Sequence, residues 1–245
     1  MWTPTIPRTG PPVRGEGLAS QPPSHLRWAP NIKNFFLDLL FPKFCFSCGS
    51  EGSYLCQDCQ AILEISGFHQ KYATQNLKDL YFTVNYQNPL IKNLIQKFKY
   101  APFVKELAKT LSLLIIAHFQ LLENKPDFSN YALVPVPMEK KRLKWRGFNQ
   151  AEELGKELSQ FLNLQLLNNV LIKIKRTLPQ VELTNEERKE NIREAFLVKN
   201  KELIKNKKIL LIDDVYTTGS TMEECARVLR EARTKEIIGI VVARG

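Results

Sequence analysis

The stretch from Lys208 to Thr221 reads KILLIDDVYTTGST, and it decides the fold. Four consecutive apolar residues, Ile209 to Ile212, have no polar face, which fits a strand buried on both sides within a parallel sheet. They run directly into Asp213 and Asp214, then into VYTTGST, then into a helix with Met222, Cys225, Leu229 and Ala232 on one face. Open α/β sheets bind ligands beyond the carboxyl ends of such strands. There Gly219 allows close backbone approach, Thr217, Thr218, Ser220 and Thr221 supply hydroxyl donors, and free amides at the helix start complete an anion cradle. A phosphate monoester fits that cradle. Carboxylates are poor neighbours for a phosphate but good acceptors for sugar hydroxyls, so the combination points to a ribose 5-phosphate group. A polar turn with an incidental acidic pair is the plainer reading, but the complete order from apolar strand to helix start speaks against it.

The thirteen residues ILLIDDVYTTGST closely resemble the phosphoribosyl pyrophosphate motif of type I phosphoribosyltransferases. The resemblance implies that Thr217, Thr218, Gly219, Ser220 and Thr221 hold the 5′-phosphate and that Asp213 and Asp214 hold the ribose hydroxyls. Val215 and Tyr216, between them, complete the binding loop. Mg²⁺ is expected with the ligand, because phosphates plus few carboxylates usually hold that ion. No Walker A or GxGxxG pattern competes.

Working outward, strand-like and helix-like periods alternate from Tyr81 onwards, which predicts an α/β fold with a parallel sheet and flanking helices. LYFTVNY is a predicted strand. In PLIKNLIQKFKY, Ile91, Leu94, Ile95 and Phe98 recur at helical spacing with Lys92 and Lys99 off that face. A long apolar helix is expected from Lys105 to Leu122, and YALVPVP as a strand ending near a functional rim, because Pro135 and Pro137 lack ladder amides. Asn149 with Glu152 caps the next predicted helix, whose apolar face is Ala151, Leu154, Leu158 and Phe161. Thr184 with Glu187 forms a second capping box.

Between the VPVP strand and Asn149, the segment from Glu139 to Arg146 carries five basic residues and one acid. Read as a loop opposite the cradle, Arg142, Lys144 and Arg146 suit a pyrophosphate or a nucleic-acid backbone, since guanidinium groups match phosphate bidentately. Trp145 and Phe148 are aromatics that could stack on bases. A solvated basic loop with two buried aromatics is the alternative. VPVPMEKKRLKWRGFNQAEELGKEL is similar to the signature of the ComF/GntX family of competence-associated proteins. So is RTLPQVELTNEERKENIREAF, with Arg176, Gln180, Arg188, Asn191, Ala195 and Phe196 at the family's spacing. Arg176 thereby joins the phosphate-binding candidates. The resemblance spans roughly Phe41 to Arg244 and implies uptake or processing of single-stranded DNA in natural transformation, with a competence helicase as partner. An active phosphoribosyltransferase of nucleotide or small-molecule metabolism is the alternative, and no catalytic residue stands out.

Four of five cysteines crowd into CxxC-x7-CxxC: Cys45, Cys48, Cys56 and Cys59. Two such knuckles close a tetrahedral site with no open position, the pattern of a structural Zn²⁺ in a zinc ribbon; redox disulfides are the alternative. Crowded thiols of this kind belong to a reducing compartment, so a cytoplasmic location is expected. His69 is expected at the surface, His118 on the long helix, and Cys225 as packing. Lys plus Arg at 35 against Asp plus Glu at 25 gives +10, which favours polyanionic partners. No stretch approaches about 20 apolar residues, so no integral membrane association is expected. Residues 1–30 hold seven of the 14 prolines and no lysine, the composition of a disordered tail. The expected division is tail 1–30, zinc-ribbon module 31–70, and phosphoribosyltransferase-like domain 71–245.

Overall fold

A computed structural model describes residues 41–175 and 192–245. The Pro-rich tail, the Thr184 and Glu187 capping box, and Arg176 lie outside them. Within the described residues, Lys43–Gly245 forms one compact unit. A short helix α1 (Gln57–Ala61) follows the first cysteine pair. Then come β1 (Asp79–Asn85), α2 (Pro89–Lys99), α3 (Leu107–Leu121), β2 (Tyr131–Pro135), α4 (Lys140–Arg146) and α5 (Gln150–Leu162). Two short strands, β3 (Leu171–Lys173) and β4 (Phe196–Val198), pair antiparallel. The chain ends with β5 (Lys208–Tyr216), α6 (Ser220–Glu231) and β6 (Glu236–Arg244).

The main sheet has the order β1-β6-β5-β2, all parallel. A parallel sheet must be covered on both faces, and strand alternation supplies both sets of contacts. Leu210 and Ile212 of β5 join Ile238 and Ile240 of β6 in one core with α2, α3 and α5. Ile209 and Leu211 turn the other way, packing with Met222, Cys225 and Leu229 of α6. Cys225 is therefore core, as its helical position implies.

Helix α2 sits where its sequence says it should. The Asn88 side chain accepts hydrogen bonds from Leu90 N at 3.0 Å and Ile91 N at 3.2 Å, Pro89 occupies the first turn, where its missing amide costs nothing, and Ile91, Leu94, Ile95 and Phe98 are fully buried. In α5, Asn149 caps Ala151 N at 3.3 Å while donating to Val136 O at 3.0 Å, which ties the helix start to the end of β2. Ala151, Leu154 and Leu158 are buried, but Phe161 is exposed.

The basic segment departs from the loop expectation: Lys140–Arg146 winds into α4. Lysine, arginine and leucine are good helix formers, and Gly147 closes the helix in the left-handed conformation at φ 81°. Among the described residues, no helix is long and apolar enough to cross a membrane.

Because Leu94 is fully buried between the sheet and its helical layer, Leu94→Ala should lower the unfolding free energy by about 2–5 kcal/mol. Leu121→Ala, at a half-exposed position, should change it by less than about 1 kcal/mol. Urea denaturation of the two variants against the parent reads the contrast.

Candidate functional site

The ends of β1, β2 and β5 open on a cavity of about 800 Å³. Every residue from Asp213 to Thr221 lines it, as do Tyr86 after β1 and Val136 to Glu139 after β2. Gly219 precedes α6 at φ 76°, and an added Cβ there would run into the Tyr216 ring. Only glycine serves this position, for conformation and for space. Gly219 offers no side chain to cap α6, and apart from a long 3.5 Å contact from Ser220 N to Thr218 Oγ1, the helix start with its positive dipole end lines the cavity. Beside them the Thr218 and Ser220 hydroxyls lie 3.0 Å apart, two donors within reach of one anion.

Behind the cradle stand the two acids. Asp214 is buried, with the Lys99 ammonium of α2 at 2.8 Å from its Oδ1. Burial opposes the charge on Lys99, but Asp214 and Asp213 outweigh it and hold the ammonium above its usual range. Asp213 accepts the Asp214 amide at 2.9 Å. Burial, then the neighbouring Asp214, pushes its carboxyl up to about 7, with Lys99 only partly offsetting them. Lys99 is thus a site residue that the sequence reading missed. Its helical position shows only that it lies off the apolar face, and nothing in the local pattern points it at an acid more than a hundred residues away.

Across the cavity lie Arg142 and Arg146 of α4, whereas Lys144, on the same helix, is exposed and lies outside the lining. The Arg146 guanidinium sits 5.3 Å from the Tyr100 ring centroid and donates from Nη1 to Gln150 Oε1 at 3.2 Å. Its Nε is buried with no hydrogen-bond partner among the described residues. Winding the segment into a helix is what separates Arg142 and Arg146, four residues apart on one face, from Lys144. Trp145 is exposed, its ring edge-on to Phe103 at 4.9 Å. Phe148 is buried against Phe98 at 5.5 Å between centroids, so it cannot stack on a base. Lys173 of β3 also lines the cavity; burial depresses its ammonium, and Arg142 adds to that.

A second constellation lies at the start of the described chain. The thiol sulfurs of Cys45, Cys48, Cys56 and Cys59 all lie within 4.8 Å of one another and could hold a metal ion. Tetrahedral coordination at a metal–sulfur distance of about 2.3 Å requires sulfurs about 3.8 Å apart, and Cys48 Sγ lies 3.5 Å from Cys56 Sγ. The first knuckle turns through Gly49 at φ 77°, with Gly49 N donating to Cys45 O at 2.9 Å. Burial works to raise the Cys45 thiol, but backbone hydrogen bonds from Cys48, Cys56 and Ser47 draw it down to about 6. A hydrogen bond with Ser47 works to lower Cys59, but Cys56 and the other thiols push it up to about 12. Four thiols this close cannot all ionise without a cation among them. Asn93 Nδ2 of α2 donates to Phe46 O at 3.1 Å, and Leu55, Cys59 and Leu63 join the core of α2 and α3.

His69 is not the surface residue expected: it pairs with Asp79 at 2.9 Å and stacks on Tyr81 at 4.0 Å. His118 is buried on α3, meeting Ser66 O through Nδ1 at 2.5 Å.

The parallel sheet and its glycine-centred loop before α6 define a phosphoribosyltransferase-type domain, and residues 147–245 match the phosphoribosyl transferase domain family. Competence protein F of Haemophilus influenzae is 33% identical over 202 residues, 80% of this chain and 82% of that protein. Competence protein ComFC of Streptococcus pneumoniae is 29% identical over 198 residues, 79% of this chain and 77% of that one. The DNA utilization protein YhgH of Escherichia coli is 31% identical over 144 residues, 58% of this chain and 60% of its own. The chain belongs to the ComF family of competence proteins.

Asp213 carries a folded-state pKa of about 7 against an ordinary carboxyl value near 3.9. The folded state therefore holds the extra proton, and stability from this group is full below about pH 4 and lost as pH rises through about 7. Asp213→Asn should accordingly be more stable than the parent at pH 8, with the gap closing towards pH 4. Thermal unfolding of both proteins across that range measures it.

Proposed function

We propose that the cavity binds phosphoribosyl pyrophosphate. What supports this reading is that one cavity is lined by a helix start, two acids of which Asp214 is buried, and two arginines. The 5′-phosphate takes the amides and hydroxyls of Thr217 to Thr221. The carboxylates of Asp213 and Asp214 accept the ribose hydroxyls, and Arg142 and Arg146 receive the pyrophosphate, including the unpartnered Nε of Arg146. Mg²⁺ bound with the ligand would supply countercharge to its pyrophosphate, with Asp213 and Asp214 the nearest protein carboxylates on the cavity. Lys99, resident on Asp214 in the free protein, must share or yield that carboxylate when a ribose hydroxyl donates to it. Lys144 is left for contacts outside the cavity.

The ion held by the four cysteines is Zn²⁺ in a structural role, since a full thiolate set leaves no open coordination position. In the cell the chain works on single-stranded DNA taken up during transformation, in the cytoplasm, alongside a helicase. The names of the relatives, competence protein and DNA utilization protein, support this reading. Phosphoribosyl transfer itself is the second reading. The observation favouring it is that Arg142 and Arg146 line the same cavity as the acids and the glycine loop, and pyrophosphate release with a panel of nucleobases tests it.

Calorimetric titration of phosphoribosyl pyrophosphate with Mg²⁺ should give binding heat to the parent protein and none to the Asp213→Ala, Asp214→Ala double variant. Equal heats from both would place the ligand elsewhere. Metal analysis should find one zinc per chain. Because the cysteine segment shares its core with α2 and α3, stripping the metal with a chelator should lower the melting temperature of the whole compact unit. A melt unchanged by metal removal would assign the cysteines another role.

A further inference from the structure

The amino-terminal ends of the parallel strands, far from the phosphate loop, hold a second concavity of about 460 Å³. Its walls carry Lys207, Lys208 and Lys235, with Asn206, Gln165 and Tyr131 between them. The backbone beneath is fixed: Lys235 N donates to Lys207 O at 2.8 Å and Asn206 N to Arg233 O at 2.9 Å. Lys208 lies over the Tyr131 ring at 5.2 Å, and Lys207 Nζ reaches Gln165 Oε1 at 3.5 Å. Among the described residues no carboxylate lies within ion-pair distance of any of the three lysines. The acid at the start of β6, Glu236, is taken by Lys78 at 2.7 Å and by the Tyr131 hydroxyl.

Lys208 shares the field of Glu236, its partner in the sheet register, and of Asp127, so Lys207 and Lys235 carry most of the uncompensated positive charge around the hollow. A single small anion is usually gripped by converging backbone amides or buried donors. Here the donors are side-chain ammoniums spread over the leads into two strands. Lysine acts as a point charge on a flexible stem, which suits successive phosphates of a chain more than one fixed oxyanion.

We propose that a single strand of nucleic acid crosses this concavity through its phosphates, at the end of the sheet opposite the phosphoribosyl cavity. The nine residues of β5, Lys208–Tyr216, put about 30 Å between the two sites, so both ligands bind at once. This proposal rests on the single-stranded DNA part of the function proposed above. It also assigns the DNA contact away from α4, whose arginines face the cavity.

Fluorescence anisotropy with a labelled oligothymidylate, at several salt concentrations, tests it on the full chain. In Lys207→Gln, Lys208→Gln, Lys235→Gln the slope of log affinity against log salt should flatten by about 2, since each single-strand phosphate contact contributes about 0.7. Lys235→Gln alone should flatten it by about 0.7, which keeps the test open should the triple variant fold poorly by circular dichroism. A control triple at exposed lysines elsewhere, Lys71→Gln, Lys109→Gln, Lys125→Gln, should leave the slope nearly unchanged. Saturating phosphoribosyl pyrophosphate with Mg²⁺ should not displace the oligonucleotide, and inorganic phosphate should displace it no more than sodium chloride at equal ionic strength. An unchanged slope in both lysine variants, an equal loss in the control, or displacement by phosphoribosyl pyrophosphate would overturn the proposal while leaving DNA binding intact. Displacement specific to inorganic phosphate would mark a small-anion site and overturn it as well. No binding by the parent protein would instead remove the DNA reading itself.

Discussion

Everything in this structure is arranged around one constraint: strand β5 is buried on both faces for four residues and then carries two carboxylates into the lining of a cavity. A buried charge without a partner is costly. The fold meets that cost for Asp214 with Lys99, delivered by a helix whose other side is wholly apolar. For Asp213 it does not fully meet it, and the carboxyl is pushed up to about 7. Carboxyls shifted in this way occur both at functional sites and in structural charge networks.

Helix α2 is the element where the two constellations meet. Its first half carries Asn93, which holds the first cysteine knuckle through Phe46 O. Its last turn carries Lys99, on Asp214. Phe98 O accepts Gln150 Nε2 at 2.8 Å, which fixes α2 to the start of α5 beside the arginines. A cysteine segment that packs into the α2 and α3 core is more than an appendage, because the position of α2 depends on contacts from both sides.

The positive charge of the chain is distributed by role. Two arginines of α4 line the cavity at the carboxyl ends of the strands, and three lysines gather at the opposite end of the sheet. Parallel strands create this polarity without further design. Their carboxyl ends open into helix-starting loops that favour compact anions, while their amino ends receive the chain from turns, where lysines stand on exposed leads.

Much of this was legible in the chain itself. Four apolar residues followed by two acids, a glycine and hydroxyls specify a covered strand and an anion loop, because burial and helix-start chemistry are local requirements. CxxC pairs likewise announce a metal-sized cluster, since each knuckle is local. Tertiary structure decided the rest. That Lys99 rather than another of the many lysines reaches Asp214 depends on how α2 crosses the sheet. That Arg142 and Arg146 turn inward while Lys144 does not depends on α4 being helical, and that Phe148 is buried while Trp145 is exposed depends on the packing of Phe98 and Phe103. Those choices are made by contacts between residues distant in sequence, and no local period records them.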